Sequence, residues 1–283
     1  MKKSLLTIAI TIAACTFSIN AKAGFPVGAG HWLLSPGYYY YTATGYWDNN
    51  RVYNSYTYNG RFTSHYLGLY GAYGINRNWE FVFNVPFIVQ TYSAIGQLAQ
   101  NGSLGDVTAG FSYYPEMRNL NTHFSVTGSI IIPLYQNVTY PSSSSGITAP
   151  NIGFQSVGAE VKVSLAGSPQ NFIKNCYYDM SLGARQYFST YGPTQFFFDG
   201  TFGVAVDEDW KIYGNLSTVS SQSNYTSTIT DGINRDFSYL RLTVGAGFRV
   251  NKTLQIFGNI FQDISGRNIG RGHGFGLFAV IKF

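Results

Sequence analysis

Residues 274–283, Gly-Phe-Gly-Leu-Phe-Ala-Val-Ile-Lys-Phe, end the chain with a regular alternation of side chains. Every odd-numbered position from Phe275 to Phe283 is apolar, whereas the even-numbered positions include two glycines and Lys282. Successive side chains of a β-strand point to opposite faces, while a helix has a period of about 3.6 residues and would mix the two classes. The stretch therefore predicts a β-strand with one continuous apolar face.

Residues 157–165 and 240–250 show the same alternation. In the first segment the apolar residues alternate with Gly, Glu, Lys and Ser, and in the second with Arg, Thr and Gly. Each segment has about ten residues, the length that a tilted strand needs to cross a membrane. The apolar face contacts a core in a soluble sandwich and lipid in a transmembrane barrel, so the alternation leaves both architectures open.

The N-terminus predicts export. Lys2 and Lys3 precede an apolar run over residues 5–17, and Ala21-Lys22-Ala23 fits the small-x-small rule for cleavage. This run is shorter than the roughly 20 apolar residues of a transmembrane helix. We therefore expect residues 1–23 to be a signal peptide and residues 24–283 to form a single barrel domain. An alternative is lipoprotein processing at Cys15, because residues 12–15, Ile-Ala-Ala-Cys, loosely resemble a lipoprotein cleavage site.

The composition separates the membrane barrel from the soluble sandwich. Charged residues make up 11% of the chain, against roughly 25% in a typical soluble domain. The 23 tyrosines, 22 phenylalanines and 32 glycines are many for this length. An exported chain with few charges and alternating apolar residues is typical of a β-barrel in the outer membrane of a Gram-negative bacterium.

Three similar turns organise the strands. Residues 75–81, 206–212 and 250–256 each have three polar residues between apolar ones, which predicts tight hairpins. Trp79 and Trp210 open the strands after two of them and are expected at the membrane interface, although a tryptophan in a soluble core would show the same pattern. We expect long polar connections at about 47–60, 93–104, 135–153 and 220–236. The remaining segments predict twelve strands, at about 34–46, 61–75, 79–92, 105–114, 122–134, 154–166, 176–188, 195–206, 210–219, 237–250, 253–263 and 272–283.

Residues that would mark an enzyme or a metalloprotein are few. After signal removal Cys176 is the remaining cysteine, so neither a disulfide framework nor a cysteine metal site is expected. His273 lies near a strand end but has no neighbouring Ser and Asn of the kind that outer-membrane phospholipases carry. We expect no catalytic residues, no metal and no cofactor. The formal net charge of +5 is modest and gives no reason to expect a nucleic-acid partner.

The polar face of the predicted strands collects charged residues. A charge that faces lipid near the membrane midplane costs roughly 2–4 kcal/mol for Arg or Lys, so these side chains are expected to line the lumen. They either set the selectivity of a pore or pair with each other and hold it shut. The expected lumen residues are Glu80, Asp106, Glu160, Lys162, Asp179, Arg185, Asp199, Lys211, Arg241 and Arg249.

Two further features bear on the lumen. Residues 24–33 either enter it from the periplasm or form a plain tail. Several tyrosines are expected to face the lumen or the loops, where they would suit weakly polar or aromatic solutes, unless they are interfacial residues. These are Tyr38, Tyr40, Tyr66, Tyr70, Tyr114 and Tyr187.

Two resemblances support the barrel. The C-terminal strand, with Phe275, Leu277, Ile281 and Phe283 at alternate positions, resembles the signal that the barrel-assembly machinery recognises in outer-membrane proteins. Short motifs also resemble the outer-membrane family labelled for the meta-pathway of phenol degradation. They are Gly-His-Trp-Leu-Leu-Ser-Pro-Gly-Tyr-Tyr-Tyr-Tyr (30–41), Gly-Ile-Asn-Arg-Asn-Trp-Glu (74–80), Asn-Val-Pro-Phe (84–87) and Ser-Leu-Gly-Asp-Val (103–107). That resemblance implies a barrel of about twelve strands that passes small, often aromatic or hydrophobic, compounds.

The sequence thus predicts a passive outer-membrane channel for small, aromatic or hydrophobic solutes. Its partners would be outer-membrane lipids, the assembly machinery and the solute. The alternative is a closed structural barrel that binds other molecules through its long extracellular loops.

Overall fold

The computed structural model describes residues 26–116, 122–137, 149–168, 175–190, 192–223 and 234–283. The expected signal peptide and Cys15 lie outside these ranges. The described chain is almost entirely β-structure, with one short 3-10 turn at Thr57–Asn59. The fourteen strands are β1 Trp32–Trp47, β2 Tyr53–Ser55, β3 Arg61–Gly74, β4 Trp79–Ala94, β5 Gln97–Leu104, β6 Asp106–Tyr113, β7 Thr122–Pro133, β8 Gly158–Gly167, β9 Cys176–Tyr187, β10 Thr194–Ala205, β11 Trp210–Gln222, β12 Phe237–Arg249, β13 Leu254–Arg267 and β14 Ile269–Lys282.

Twelve of these strands form a closed antiparallel barrel. Each pairs with its neighbour along the chain, and β14 pairs back to β1, so that the wall has no free edge. The closure ends in a reciprocal pair, in which Trp32 N–H donates to the Phe283 carbonyl at 2.7 Å and Phe283 N–H donates to the Trp32 carbonyl at 3.1 Å. Because lipid offers no hydrogen-bond partners, a sheet in a membrane must pair its edge strands with each other, and closure of the barrel does this. The predicted twelve-stranded barrel is confirmed.

The two additional strands extend the wall beyond the barrel. β2 continues the pairing of β1, and β5 pairs with residues 87–94 of β4. Residues 93–104 were expected to form a long polar connection, and this was wrong for residues 97–104. A tight turn with positive φ at Ile95 and Gly96 folds them back on β4. Gly105 then separates β5 from β6, where its N–H donates to the Pro86 carbonyl at 2.8 Å.

The three predicted tight turns share one hydrogen-bond pattern. The N–H groups of Ile75, Val206 and Val250 donate to the carbonyls four residues later, at 2.9, 2.9 and 3.0 Å. The second residue of each turn accepts backbone N–H groups through its side chain: Asn76, Asp207 and Asn251 all receive bonds of 2.6–2.9 Å from the next strand's start. A short carboxylate or amide is suited to this role because it can bind the backbone two or three residues ahead. The repeated sequence pattern therefore specifies the same turn three times.

The strands have two different faces. One face exposes large apolar side chains around the wall, including Val161, Leu182, Val244 and Ile260. A soluble protein would bury residues of this size, whereas a lipid-embedded barrel exposes them to acyl chains. The other face of the same strands carries the charged residues described below. Within the described ranges no helix has the length and apolarity to cross a membrane.

Candidate functional site: the barrel interior

The barrel encloses a cavity of about 560 Å³ that spans the faces of several strands. Its lining is polar on most sides but includes Leu33, Phe197, Tyr70 and Tyr114. Six of the ten residues expected in the lumen line it, namely Glu80, Glu160, Lys162, Asp179, Arg185 and Asp199. The other four, Asp106, Lys211, Arg241 and Arg249, lie on the same face of their strands above or below this cavity.

An ion pair occupies the wall between β8 and β9. Arg185 donates from Nη2 to Glu160 Oε2 at 2.6 Å and from Nε to the same oxygen at 2.9 Å. Its Nη1 donates to Gln195 Oε1 at 3.2 Å, and its guanidinium lies 5.3 Å from the centre of the Phe197 ring. These contacts hold the arginine against the wall, so the pair contributes little net charge to the passage.

Two aspartates lie lower on the same wall. Asp199 accepts a hydrogen bond from Asn215 Nδ2 at 2.9 Å. Asp179 stands opposite Thr201 on the neighbouring strand, and Lys162 lies on the next strand but faces the same cavity. In the part of the chain that the structure describes, no ion pair within 4.0 Å joins Lys162 to either aspartate. All three charged residues line the cavity, where a solute can reach them.

Outer-membrane barrels have short turns on the periplasmic side and longer loops on the extracellular side, so the end with the three tight turns is the periplasmic one. A second ion pair lies in the opposite, extracellular half of the barrel. Arg241 Nε is 2.7 Å from Asp263 Oδ1, and Nη2 donates to the other oxygen at 3.3 Å. The guanidinium lies 4.5 Å from the centre of the Phe261 ring, 5.3 Å from that of Tyr239 and 5.5 Å from that of Tyr41. Sequence reasoning missed Asp263 because β13 also places Phe257 and Phe261 on the inner face, so its alternation is not clean.

Basic side chains collect at the periplasmic end of β11, β12 and β14. Lys211 donates from Nζ to Gln255 Oε1 at 3.3 Å and lies 6.0 Å from the centre of the Tyr177 ring. Arg249 is paired in register with Gln255, and Lys282 with Leu33, which lines the cavity. Lys282 was not among the expected lumen residues, although it lies on the even-numbered, inward face of β14.

Asp106 ties the connection between β7 and β8 to the barrel. It accepts hydrogen bonds from the hydroxyls of Tyr135 at 2.9 Å and Tyr187 at 3.2 Å. The Tyr135 hydroxyl also accepts the Gln155 N–H at 2.9 Å, and the Phe154 ring packs on Tyr187 with 4.8 Å between centroids. Burial, together with the charge of Asp106, raises the pKa of the Tyr135 hydroxyl, so it remains a protonated donor. Residues 153–155 are thus held against the inner side of the wall.

The N-terminal segment before β1 contacts the periplasmic mouth. Gly30 N–H donates to the Gly74 carbonyl at 2.7 Å, and Gly74 N–H donates to the His31 carbonyl at 3.0 Å. Val27 lines the cavity, and its N–H donates to Glu80, which also accepts the Tyr114 hydroxyl at 3.0 Å. Of the two arrangements considered for residues 24–33, the described part, from residue 26 onward, lies against the lumen.

The aromatic residues divide between the faces. Trp79 and Trp210 are 44% and 50% exposed, and each packs on an aromatic residue of the next barrel strand, Tyr113 or Phe248, with centroids 5.0 Å apart. The expectation that Tyr38 and Tyr40 face the lumen or the loops was wrong. They pair in register with exposed Leu67, Leu277 and Phe275, and so lie on the outer face. Tyr39 and Tyr41 point inward instead.

No arrangement of metal ligands is present in the described ranges, where no group of three or more His, Cys, Asp or Glu side chains converges. The described geometry offers charge pairs, tyrosine hydroxyls and aromatic rings around a cavity. These groups can bind or guide a small molecule by hydrogen bonds and electrostatic contacts.

A closed antiparallel barrel with an apolar outer belt and a polar interior is the architecture of an outer-membrane protein, and this chain has that architecture. Comparison with solved structures agrees. The COG4313 outer membrane channel from Pseudomonas putida F1 superposes with a TM-score of 0.73 at 14% identity, covering 94% of this chain and 100% of that one. The beta domain of the Bordetella autotransporter BrkA matches with a TM-score of 0.51 at 11% identity, over 90% of this chain and 100% of that domain. At these identities the likeness concerns the fold. No protein-family model matches the sequence, and the comparison with curated proteins found no match.

Proposed function

We propose that this protein is a passive channel for small solutes across the outer membrane. The observation that carries the proposal is the cavity of about 560 Å³ inside a closed barrel, lined by charged and tyrosine side chains that reach it from several strands. Twelve strands enclose more space than the eight that side chains fill, but less than the 16–18 of wide porins. The passage is therefore narrow and admits small molecules.

The charges within the barrel are unevenly distributed between two halves of the wall. Below the extracellular rim, the described strands β4 to β10 direct five carboxylates and two cations into the barrel. The described strands β11 to β14 direct four cations and one carboxylate into it. The charges of opposite sign face each other across the barrel, so their field runs across the passage. Such a field orients a dipolar solute and leaves little overall preference for anions or cations.

The solute class that this lining supports is small, weakly polar and, in part, aromatic. Tyr39 and Tyr66 pack edge to face with ring centroids 5.9 Å apart on the inner wall, and Tyr70 and Tyr114 line the cavity. Tyrosine rings present an apolar surface with one polar end. An aromatic solute can therefore slide along these rings while its polar group contacts the opposite wall.

The proposal is tested by single-channel conductance of the full-length barrel, folded and inserted in a planar bilayer. We expect discrete steps that are small compared with those of a general porin and linear in voltage. Folding is checked separately by the heat-dependent shift of the barrel on a gel. A folded barrel that shows no steps, and through which liposomes take up no small aromatic solute, contradicts the proposal.

A second candidate function is a closed structural barrel that binds other molecules through its extracellular loops. It is favoured by the extracellular half of the interior, where the Arg241–Asp263 pair, the surrounding rings and the Asp106–Tyr135–Tyr187 bonds occupy space. The silent but folded barrel described above is the result that favours this alternative.

Two expectations about membrane placement also stand as proposals. Trp79 and Trp210, both exposed next to periplasmic turns, anchor the barrel at the interface. The assembly machinery recognises the outward face of β14 at Phe275, Leu277 and Ile281, together with Phe283, which follows the strand. The exposure of Phe275, Leu277 and Phe283, between 46% and 59%, leaves their rings and methyl groups accessible for that contact.

A further inference from the structure

The three neighbouring strands β14, β1 and β3 form the seam where the barrel closes, and they carry basic but no acidic residues. No Asp or Glu occurs in Trp32–Trp47, Arg61–Gly74 or Ile269–Lys282. The same strands contribute two arginines and two histidines to the outer surface. Arg61, Arg271 and His273 are exposed, and His65 is half-buried.

These residues lie on the lipid side of the wall. His273 has the same parity as Phe275 and Leu277, which are exposed, and His65 the same parity as exposed Leu67 and Leu69. The register sets His273 opposite Thr42, and His65 opposite Tyr40. The outer surface of the seam therefore has a polar strip, formed by Arg61, Arg271, His273 and His65, that extends from the extracellular rim toward the middle of the barrel wall.

The polar strip interrupts the apolar belt. On other strands the large outward residues are apolar, as at Val161, Leu182 and Ile260. A polar group that faces hydrocarbon without a partner is costly. Tyr38 partly satisfies His65, since its hydroxyl lies 2.8 Å from His65 Nδ1. The side chains nearer the rim, Arg61, Arg271 and His273, remain exposed and available to a ligand that resides in the membrane.

The two arginines are placed to act on one ligand. Ala43 pairs with Gly272 on one side and with Phe62 on the other, so Arg271 and Arg61 lie beside the same part of β1. Two strand spacings separate them by about 10 Å at the backbone, and both side chains are long enough to converge on one headgroup. The Arg271 guanidinium lies 5.0 Å from the centre of the Tyr53 ring and 5.8 Å from that of Trp47, which fixes its position at the rim.

We propose that this outer patch, formed by Arg61, Arg271, His273, His65 and Tyr40, binds a phosphorylated glycolipid of the outer leaflet. Arginine binds phosphate oxygens through its planar fork of donors, and among the described residues neither Arg61 nor Arg271 has a carboxylate oxygen within 4.0 Å. The rim position matches the depth of a lipid headgroup, and the apolar residues below, Leu67, Leu69 and Leu277, contact its acyl chains. The inference is independent of whether the lumen conducts.

The test uses the full-length folded barrel in detergent, with bisphosphorylated lipid A as the probe and its dephosphorylated form for comparison. Native mass spectrometry measures retained lipid. We expect the protein to retain the phosphorylated lipid and the Arg61→Gln/Arg271→Gln double variant to bind it about tenfold or more weakly. The matched control is Arg77→Gln, which removes the same charge from an exposed periplasmic turn and should bind as the unaltered protein does.

Three results would overturn the proposal. Equal binding of lipid A by the double variant would show that the arginines are not the site. Equal binding of the dephosphorylated lipid would show that phosphate is not recognised. A lipid-free oligomer that dissociates in the double variant would show that a second copy of the chain covers the patch. Each variant is first shown to be folded by its heat-dependent shift on a gel.

Discussion

Arg241 and Asp263 form an ion pair inside the barrel, across adjacent strands, with Nε and Oδ1 2.7 Å apart. Asp263 is only 1% exposed, so its charge depends on this partner. We expect Arg241→Gln to lower the free energy of unfolding by about 1–3 kcal/mol, because it leaves a buried carboxylate without its cation. Urea unfolding of the barrel in vesicles measures the change.

A double-mutant cycle distinguishes the pair from the two separate side chains. If the pair is the cause, Arg241→Gln combined with Asp263→Asn should be less destabilising than the sum of the two single changes. Additive effects would show that packing of the arginine on Phe261 and Tyr41, rather than the ion pair, accounts for the loss.

The uneven distribution of charge between the two halves of the wall predicts opposite shifts in ion selectivity. Lys211→Gln with Arg249→Gln should move the reversal potential in a salt gradient toward cation preference, and Asp179→Asn with Asp199→Asn toward anion preference. A charge about 8 Å from an ion in water changes its energy by about 0.5 kcal/mol, and each double variant removes two such charges, so each should alter the permeability ratio by about fivefold or more. Lys252→Gln, in an exposed turn outside the barrel, is the control and should leave the ratio unchanged. Equal ratios in all of these proteins would show that the charges do not border the conducting path.

Gly74 permits the N-terminal segment to approach the barrel wall. A Cβ atom at this position would meet the Gly28 carbonyl oxygen at 1.8 Å, a backbone clash that the segment can relieve only by moving away. We expect Gly74→Ala to displace Val27 from the cavity and to raise the single-channel conductance. Gly128→Ala, where nothing lies within 4 Å of the added Cβ, should conduct as the unaltered protein does. An unchanged conductance in Gly74→Ala would mean that the segment does not limit the passage.

Changing Phe283 tests assembly in the cell separately from the stability of the barrel. Its backbone pairs with Trp32, which any residue except proline can do, while the residue as a whole is 59% exposed. Phe283→Ala should therefore fold in detergent as well as the unaltered chain but reach the outer membrane in several-fold lower amount. The heat-shifted fraction in isolated outer membranes measures this. A loss of folding in detergent would indicate a structural role for the ring, and normal amounts in the membrane would remove it from the assembly signal.

The strands could be predicted from the sequence wherever the two faces differ clearly in polarity. Residues 157–165 alternate without exception, and β8 and its neighbours place those side chains as the pattern indicates. Residues 97–104 were missed because polar residues fall on both faces, Gln97, Asn101 and Ser103 on one and Gln100 on the other, and so give no clear alternation. Their strand depends on a turn at Ile95 and Gly96 and on pairing with a neighbour that extends past the barrel.

The interior was predicted as a set of charged residues but not as a set of contacts. A charge that faces lipid is costly whatever its partner is. The sequence therefore predicts that Glu160 and Arg185, each on a spanning strand, point inward. That these two pair while Arg241 pairs with Asp263 depends on strand register, which the sequence does not state. The N-terminal segment was likewise undecided, because its position rests on backbone bonds to Gly74.

By itself, the sequence determined that this chain is an alternating, twelve-stranded transmembrane barrel with its charges away from lipid, because period-two alternation specifies the strands, the low content of charged residues favours a membrane barrel over a soluble sandwich, and a charge in hydrocarbon is costly. Only the tertiary structure decided the faces of the run Tyr38-Tyr39-Tyr40-Tyr41, since four identical residues carry no alternation. Pairing of Tyr40 with His65 and Phe275 directs one pair of tyrosines to the lipid side and the other into the lumen. The register with neighbouring strands, which is a property of the closed barrel, therefore assigns each tyrosine to a face where local polarity cannot.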